Sequence, residues 1–385
     1  MTFNPATSMP RRHFIGLSLA GAIVVAGAVG IGLSDRRNIR RADFKPADEP
    51  TDTLLPDERN ILFLASLAPS GHNTQPWFVT HLAPYHWIVG NDRRRWLPGV
   101  DPDQRETILS LGAFLENIEL AAGAFGYVCR WTLLATTNQD EQVIELRMTK
   151  TGPPDSANIE EMKQRRTVRA GFSREALRED DVAHLVAGES QFIHYLPTTS
   201  QEARLINEQT IAANRLQAYR DPAQQELADW IRFSSADARK HRDGLTTGSM
   251  EIEGFSGWAV RNFYDKASVV KPAFRERSID HVRREVGASA GWILITSKDV
   301  SVASLLETGS RMQWLFLKVR ARGIAVHPMT QILEEPSTRL ALAPALGIGE
   351  NIQFILRVGY VANTPPPVSL RRPVAWFLRQ GEIRV

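Results

Sequence analysis

Residues 104–126 read QRETILSLGAFLENIELAAGAFG. Ile108, Leu111, Leu115, Ile118 and Leu120 give one apolar face, and the spacing predicts a helix that stops at Gly126. An apolar strand-like run, Tyr127 to Leu134, follows, and Val143 to Met148 closes the unit. The same plan returns in residues 301–323, SVASLLETGSRMQWLFLKVRARG. There Leu305, Leu306, Met312, Leu315, Phe316 and Val319 line the helical face, ahead of Gly323 and the strand-like Ile324-Ala325-Val326. Ile352 to Val358 is the closing strand of this second unit. Gly112 and Gly126 are 14 residues apart, as are Gly309 and Gly323, and the two pairs are offset by 197. The repeat predicts two related α+β halves in one chain, residues 56–150 and 151–385. Residues 201–287 interrupt the second half with largely helical patterns. These break over Asp243 to Phe255, where Gly, Thr and Ser cluster, so a loop or lid is expected there.

The chain has 385 residues, enough for two or three globular units, and a formal net charge of +3. Its one cysteine, Cys129, excludes an intrachain disulfide framework, a Cys-rich zinc site and an iron–sulfur cluster. The basic excess is local. Residues 1–41 hold six arginines and one acid; the rest carries 40 basic and 42 acidic residues. A broad nucleic-acid-binding face is therefore not expected. Arg11-Arg12-His13-Phe14-Ile15 leads into an uncharged stretch, Phe14 to Leu33, rich in Ala, Gly and Val. That pattern over residues 1–34 reads as a twin-arginine export signal. The stretch has 20 residues, just enough to span a bilayer core, so a retained membrane anchor stands beside a cleaved leader. The expected location is outside the cytoplasm, periplasmic or membrane-anchored, reached through the twin-arginine export machinery. Residues 35–55, charged and rich in Pro and Asp, read as a linker.

No P-loop, no nucleophile elbow and no H-E-x-x-H run occurs, and the histidines are scattered, so neither a triad nor a dedicated metal site is expected. Glu251 and Glu253 read as a solvated acidic tip. Four segments carry chemistry. Ala68-Pro69-Ser70-Gly71-His72-Asn73-Thr74-Gln75-Pro76-Trp77 is a dense polar turn whose Ser70, Asn73 and Gln75 suit a polar heterocycle or polyol. Gln164 to Phe172 places Arg165, Arg166, Thr167 and Arg169 within five residues, a set that can grip a phosphate. Ser369-Leu370-Arg371-Arg372-Pro373 is a second basic cluster. His327-Pro328-Met329-Thr330-Gln331 leaves a strand at a proline, which can expose backbone N–H donors.

These segments together resemble the FMN-dependent nitroreductase family, closest to its Acg-type fused branch, over roughly residues 55–380. Ala68 to Trp77 is similar to the family's P-S-S-x-N-x-Q-P-W turn, and Arg165 to Phe172 to its R-R-S-x-R-x-F segment. Gly359-Tyr360 and Arg371-Arg372-Pro373 resemble its closing G-Y and R-x-P segments. His327 to Gln331 stands where the family has P-x-E-G. The resemblance implies a nitroreductase-like α+β fold whose two fused halves form an intrachain pseudo-dimer, so that no oligomer is required to complete the site. It implies FMN as cofactor. Arg165, Thr167, Arg169 and Arg371 would hold the phosphate, with Arg166 near the ribityl chain or phosphate and Ser369 also in the cofactor-binding set. Ser70, Asn73 and Gln75 would meet the flavin from the other half, and Pro328, Thr330 and Gln331 would lie beside the ring. It implies NADH or NADPH as donor and a small-molecule electron acceptor, nitroaromatic or quinone-like, with flavin sequestration as the alternative. Two departures stand out: Gly71 replaces a serine, and Thr330-Gln331 replace Glu-Gly, which removes an acid near the ring. Arg36-Arg37-Asn38-Ile39-Arg40 is the only rival phosphate segment ahead of the polar turn and lacks a hydroxyl, so one FMN site is expected, not two.

Overall fold

The computed structural model describes residues 35–43 and 53–381. The expected export signal, residues 1–34, lies outside them. Eleven strands are described. They are β1 Trp77–Ala83, β2 His86–Asn91, β3 Tyr127–Leu133, β4 Gln142–Lys150, β5 Ile193–Pro197, β6 Ile231–Arg232, β7 Leu245–Thr246, β8 Gly291–Ser297, β9 Ile324–Pro328, β10 Asn351–Tyr360 and β11 Leu378–Gln380. One sheet has the order β11-β1-β2-β4-β3, a second β5-β8-β10-β9, and β6 and β7 form a two-stranded third. Strand for strand, β1-β2-β4-β3 matches β5-β8-β10-β9, and every pair within these two runs is antiparallel. The two α+β halves read from the repeat are therefore present as two sheets of one topology.

The repeated helices are Arg105–Ala124 and Val302–Arg320. Gly126 and Gly323 both take the left-handed backbone, φ +81 and +65, that turns the chain from each helix into its strand. The two helices pack on each other at the other matched pair of glycines. A Cβ on Gly112 would meet the Leu306 carbonyl oxygen at 2.1 Å, and a Cβ on Gly309 would meet the Leu109 carbonyl oxygen at 2.0 Å. Leu109 and Leu306 are themselves separated by the same 197 residues. The contact is thus reciprocal, as an isologous two-fold interface requires. Ile108, Leu109, Leu111, Leu305, Leu306, Leu315 and Phe316 from both helices bury into one shared core.

The halves diverge at one connection. β1 and β2 are joined by Pro84-Tyr85 alone, whereas their counterparts β5 and β8 are separated by residues 198–290. That insert carries the helices Gln201–Tyr219, Asp221–Trp230, Ser235–His241, Gly254–Phe263, Lys266–Val269 and Pro272–Val286. Its break carries β7, which pairs in parallel with β6.

Two boundaries differ from the sequence reading. Residues 35–43, expected to be linker, are packed: Ile39 is buried with Ala238 and Leu370. An apolar Ile amid charged neighbours is enough to pin a short strap. The C-terminus also does not stay with the second half, since β11 joins the first sheet in parallel with β1. Its length of 3 residues gave too little periodicity to read. Among the described residues no helix is long and apolar enough to cross a membrane.

Candidate functional site

The polar turn is built by its own side chains. Gln75 N–H donates to Ser70 Oγ at 2.9 Å, and His72, Asn73 and Gln75 all take positive φ. Asn73 Oδ1 then accepts from the Arg371 guanidinium at 2.9 Å, while Asn73 Nδ2 donates to the Gly244 and Leu370 carbonyls. The turn of the first half and the closing basic cluster of the second are thereby locked together.

The phosphate segment joins at the same place. Arg165 Nη2 and Arg371 Nη2 each donate to the Leu67 carbonyl at 3.1 Å, and Arg371 also reaches Ala68. Arg165 lies over the Phe316 ring. A third guanidinium arrives from the strap: Arg41 Nε donates to the Ser369 carbonyl at 3.1 Å, the oxygen that Arg371 also approaches. Three guanidiniums are thus strung along two shared carbonyl oxygens. Among the described residues none of the three meets a carboxylate. Burial pushes Arg165 down to about 9, helped by the Arg41 charge, and Arg41 down to about 10. Burial and the charges of Arg41 and Arg165 push Arg371 well below its ordinary value. Two unit charges ~6 Å apart at an effective dielectric of ~20 repel by ~3 kcal/mol. The Nε atoms of Arg165 and Arg371 are buried without a partner. Such a set suits a multiply charged oxyanion.

The other two arginines of the phosphate segment are engaged. Arg166 pairs with Glu251 at 2.7 Å and donates to the Pro366 carbonyl. Glu251 is therefore not part of a solvated tip; an unpaired buried guanidinium is costly, and Glu251 folds in to neutralise it. Glu253 is exposed and, with Arg36, Arg37, Arg40 and Arg261, lines a cavity of about 420 Å³ at the strap. Arg169 donates to the Ser249 carbonyl at 3.0 Å and lies 2.8 Å from His327 Nε2. Burial and Arg169 hold His72 down to about 4; burial, Arg169 and Arg357 hold His327 well below its usual range. Both are neutral at pH 7, which leaves His327 Nε2 free to accept from Arg169. Thr167 is partly buried between Arg166 and Arg169 in sequence.

Gln75 differs from its expected role. It has no exposed surface; its Oε1 accepts from the Arg372 backbone N–H at 2.8 Å and its Nε2 donates to the Arg242 carbonyl at 3.0 Å. It is a bolt between the halves, bonded at both amide atoms. Arg372 is the matching bolt, donating to the carbonyls of Gln75 and Trp77. A side-chain amide beside a pair of arginines gives no sequence signal for which residues face inward.

At the other end, Pro328 closes β9, and the Met329 N–H is spent on the Ile355 carbonyl. Gln331 Oε1 is buried without a partner. Thr330 donates through Oγ1 to Glu334 at 3.0 Å, and Gln217 of the insert donates to the same carboxylate. Burial raises Glu334, and burial together with Glu334 raises Glu106 well above its ordinary value. Glu106 also approaches the place a Gly71 Cβ would take. Two acids thus stand near Thr330, Glu334 one helical turn away and Glu106 across the halves. Helical spacing from Thr330 to Glu334 was the signal for the first; nothing local marks the second.

No family model matches the chain. It is similar to curated proteins over most of their length. One from Serratia sp. (strain ATCC 39006), named as the NAD(P)H nitroreductase PigM, is 23% identical over 347 residues, covering 84% of this chain and 93% of that one. Another from Mycobacterium tuberculosis, named as the NAD(P)H nitroreductase acg, is 24% identical over 353 residues, covering 84% and 96%. Among solved structures, the FMN-dependent nitroreductase NfnB from Mycobacterium smegmatis, in complex with NADPH, aligns with a TM-score of 0.37 and 16% identity, over 58% of this chain and 96% of that one. A nitroreductase-like protein from Bacillus cereus aligns with a TM-score of 0.30. At those scores the architecture rests on this chain's own sheets and helices.

Proposed function

We propose that the protein is an FMN-dependent oxidoreductase of the nitroreductase kind, with one flavin site per chain at the junction of its two halves. The observation that carries this reading is the trio of guanidiniums without an acid: Arg165 and Arg371 share the Leu67 carbonyl of the opposite half, and Arg41 of the strap takes the Ser369 carbonyl. The donor set fits a flavin phosphate: orphaned Nε atoms on Arg165 and Arg371 supply directional, charge-assisted donors. Names of relatives over more than four-fifths of the chain support the same class.

FMN, when bound, supplies the hydride and electron chemistry. The protein's part is to bind and orient. Arg165 and Arg371 hold the phosphate, and Arg169, Thr167, Asn73 and Ser70 border the polar chain. Pro328, Thr330 and Gln331 stand at the ring, where the unpartnered Gln331 Oε1 offers an acceptor. Glu334, raised by burial and held through Thr330, lies close to that segment. NADH or NADPH is the proposed donor and a nitroaromatic or quinone-like molecule the acceptor. Export by the twin-arginine route, followed by residence outside the cytoplasm, is part of the same proposal. Its support is Arg11-Arg12 and the uncharged stretch behind them. Arg11→Lys with Arg12→Lys should leave the protein in the cytoplasm.

The sequestering alternative has its own observation. Residues 242–251 of the insert bond directly into the site: the Arg242 carbonyl to Gln75, the Gly244 carbonyl to Asn73, the Ser249 carbonyl to Arg169, and Glu251 to Arg166. Anaerobic mixing of the flavin-loaded protein with NADH, NADPH and dithionite separates the two. The enzyme reading expects bleaching by a nicotinamide within seconds. Bleaching by dithionite alone would establish sequestration instead.

A further inference from the structure

We propose that Arg41, carried by the strap of residues 35–43, is a third arginine of the phosphate grip, and that this strap closes the site over the bound flavin. The inference rests on the FMN reading above and adds a residue from outside every segment that suggested it.

The strap is fixed to the insert rather than to either sheet. The Asp35 N–H donates to Asn262 Oδ1 at 3.0 Å, and Ser235 Oγ donates to the Asp35 carboxylate. Thr247 Oγ1 donates to Asn38 Oδ1 at 2.6 Å. Ile39 then buries beside Leu370, the residue just ahead of Arg371. Two positions on, Arg41 donates to the Ser369 carbonyl and also to the Lys163 carbonyl, two residues before Arg165. Arg41 therefore bridges the two basic segments that the sequence keeps about two hundred residues apart.

Its choice of partners argues against plain packing. Asp43 is two residues away, yet its carboxylate takes the Arg40 N–H and the Arg37 guanidinium. Arg41 turns from that acid toward two other cations and bonds carbonyl oxygens only, among the described residues. Placing a third desolvated cation beside Arg165 and Arg371 is unfavourable in itself. A bound dianion reverses the sign, because each guanidinium then gains an oppositely charged acceptor in a water-poor site. The strap could hold through Ile39 and Asn38 without Arg41. The position of the guanidinium is explained by an anion.

Two consequences follow. The flavin must be in place before residues 35–43 close, and its release requires them to lift. The segment nearest the N-terminal leader is therefore also the one that retains the cofactor.

The test compares FMN with riboflavin, which lacks the phosphate, by fluorescence titration of the full-length apoprotein. A charge-assisted hydrogen bond is equivalent to about 10- to 100-fold in affinity. Arg41→Gln should weaken FMN by that factor, speed its dissociation, and leave riboflavin unchanged. Arg41→Lys, which keeps the charge and the fold, should lose less. Inorganic phosphate should compete with FMN in the wild type and less well in Arg41→Gln. An unchanged FMN-to-riboflavin ratio in Arg41→Gln, alongside a collapsed ratio in Arg165→Ala, would overturn the role of Arg41 and leave the FMN site standing. No preference for FMN in the wild type would overturn both.

Discussion

The two halves agree where they touch and differ where they bind. At the helix pair, Gly112 meets Leu306 and Gly309 meets Leu109, so each half presents the other with the same surface. At the sheet edge the symmetry is gone: two residues join β1 to β2, while 93 residues separate β5 from β8. The interface needs close backbone approach on both sides, which only glycine allows. The site needs different things from each half, a polar turn from one and arginines from the other. A fused chain can keep the first requirement symmetric and let the second diverge, as a homodimer of identical chains cannot.

Breaking the symmetric part should cost most. Gly112→Val and Gly309→Val would each drive a side chain into a carbonyl about 2 Å away, and each should destabilise by ~4 kcal/mol or abolish folding. Urea denaturation would measure it; a large loss for one and none for the other would end the two-fold account. In the divergent part, Arg165→Ala with Arg371→Ala should weaken FMN at least ~100-fold. Equilibrium dialysis reads this directly.

The histidines beside Arg169 sharpen the comparison, since His72 comes from the first half and His327 from the second. Their folded pKa values are depressed, so between pH 6.5 and about 4 the unfolded chain binds more protons. Stability should therefore fall as the pH drops through that window, by ~2 to 3 kcal/mol from His72 and further from His327. Removing either histidine should flatten the slope in chemical denaturation at pH 4.5 to 7. On the alkaline side the depressed arginine acts in the same sense on the apoprotein, in a higher pH window. Arg165, at about 9, sheds its proton earlier folded than unfolded, so apoprotein stability should rise above pH 9. FMN binding restores the charge, and its affinity should fall several-fold from pH 8 to 10. The smallest effect belongs to the insert: Glu251→Gln should loosen the hold on Arg166 and speed FMN exchange about two- to five-fold.

Much of the scaffold was legible because helical spacing and glycine position both report packing. Gly112 and Gly309 sit on the apolar face, and their equal offset already contained the reciprocal contact. The polar turn and the two basic clusters were legible as chemistry, and Arg165, Arg371 and Asn73 do converge. What was not legible depends on direction. Gln75 reads as a ligand and is a buried bolt, because a side-chain amide looks the same facing a cofactor or a carbonyl. Arg41 lies in a stretch whose charge and proline content suggest linker, and a single Ile39 overrides that composition. Glu106 and Glu334 approach each other only through tertiary packing. β11 crosses to the first sheet on three residues, too few for a pattern.

The central claim is that two halves make one site. Native mass spectrometry of the full-length protein saturated with FMN tests it most directly. The account predicts one FMN per chain whatever the oligomeric state. Two per chain would mean that each half carries a site of its own, and none would mean that the arginine trio holds something else.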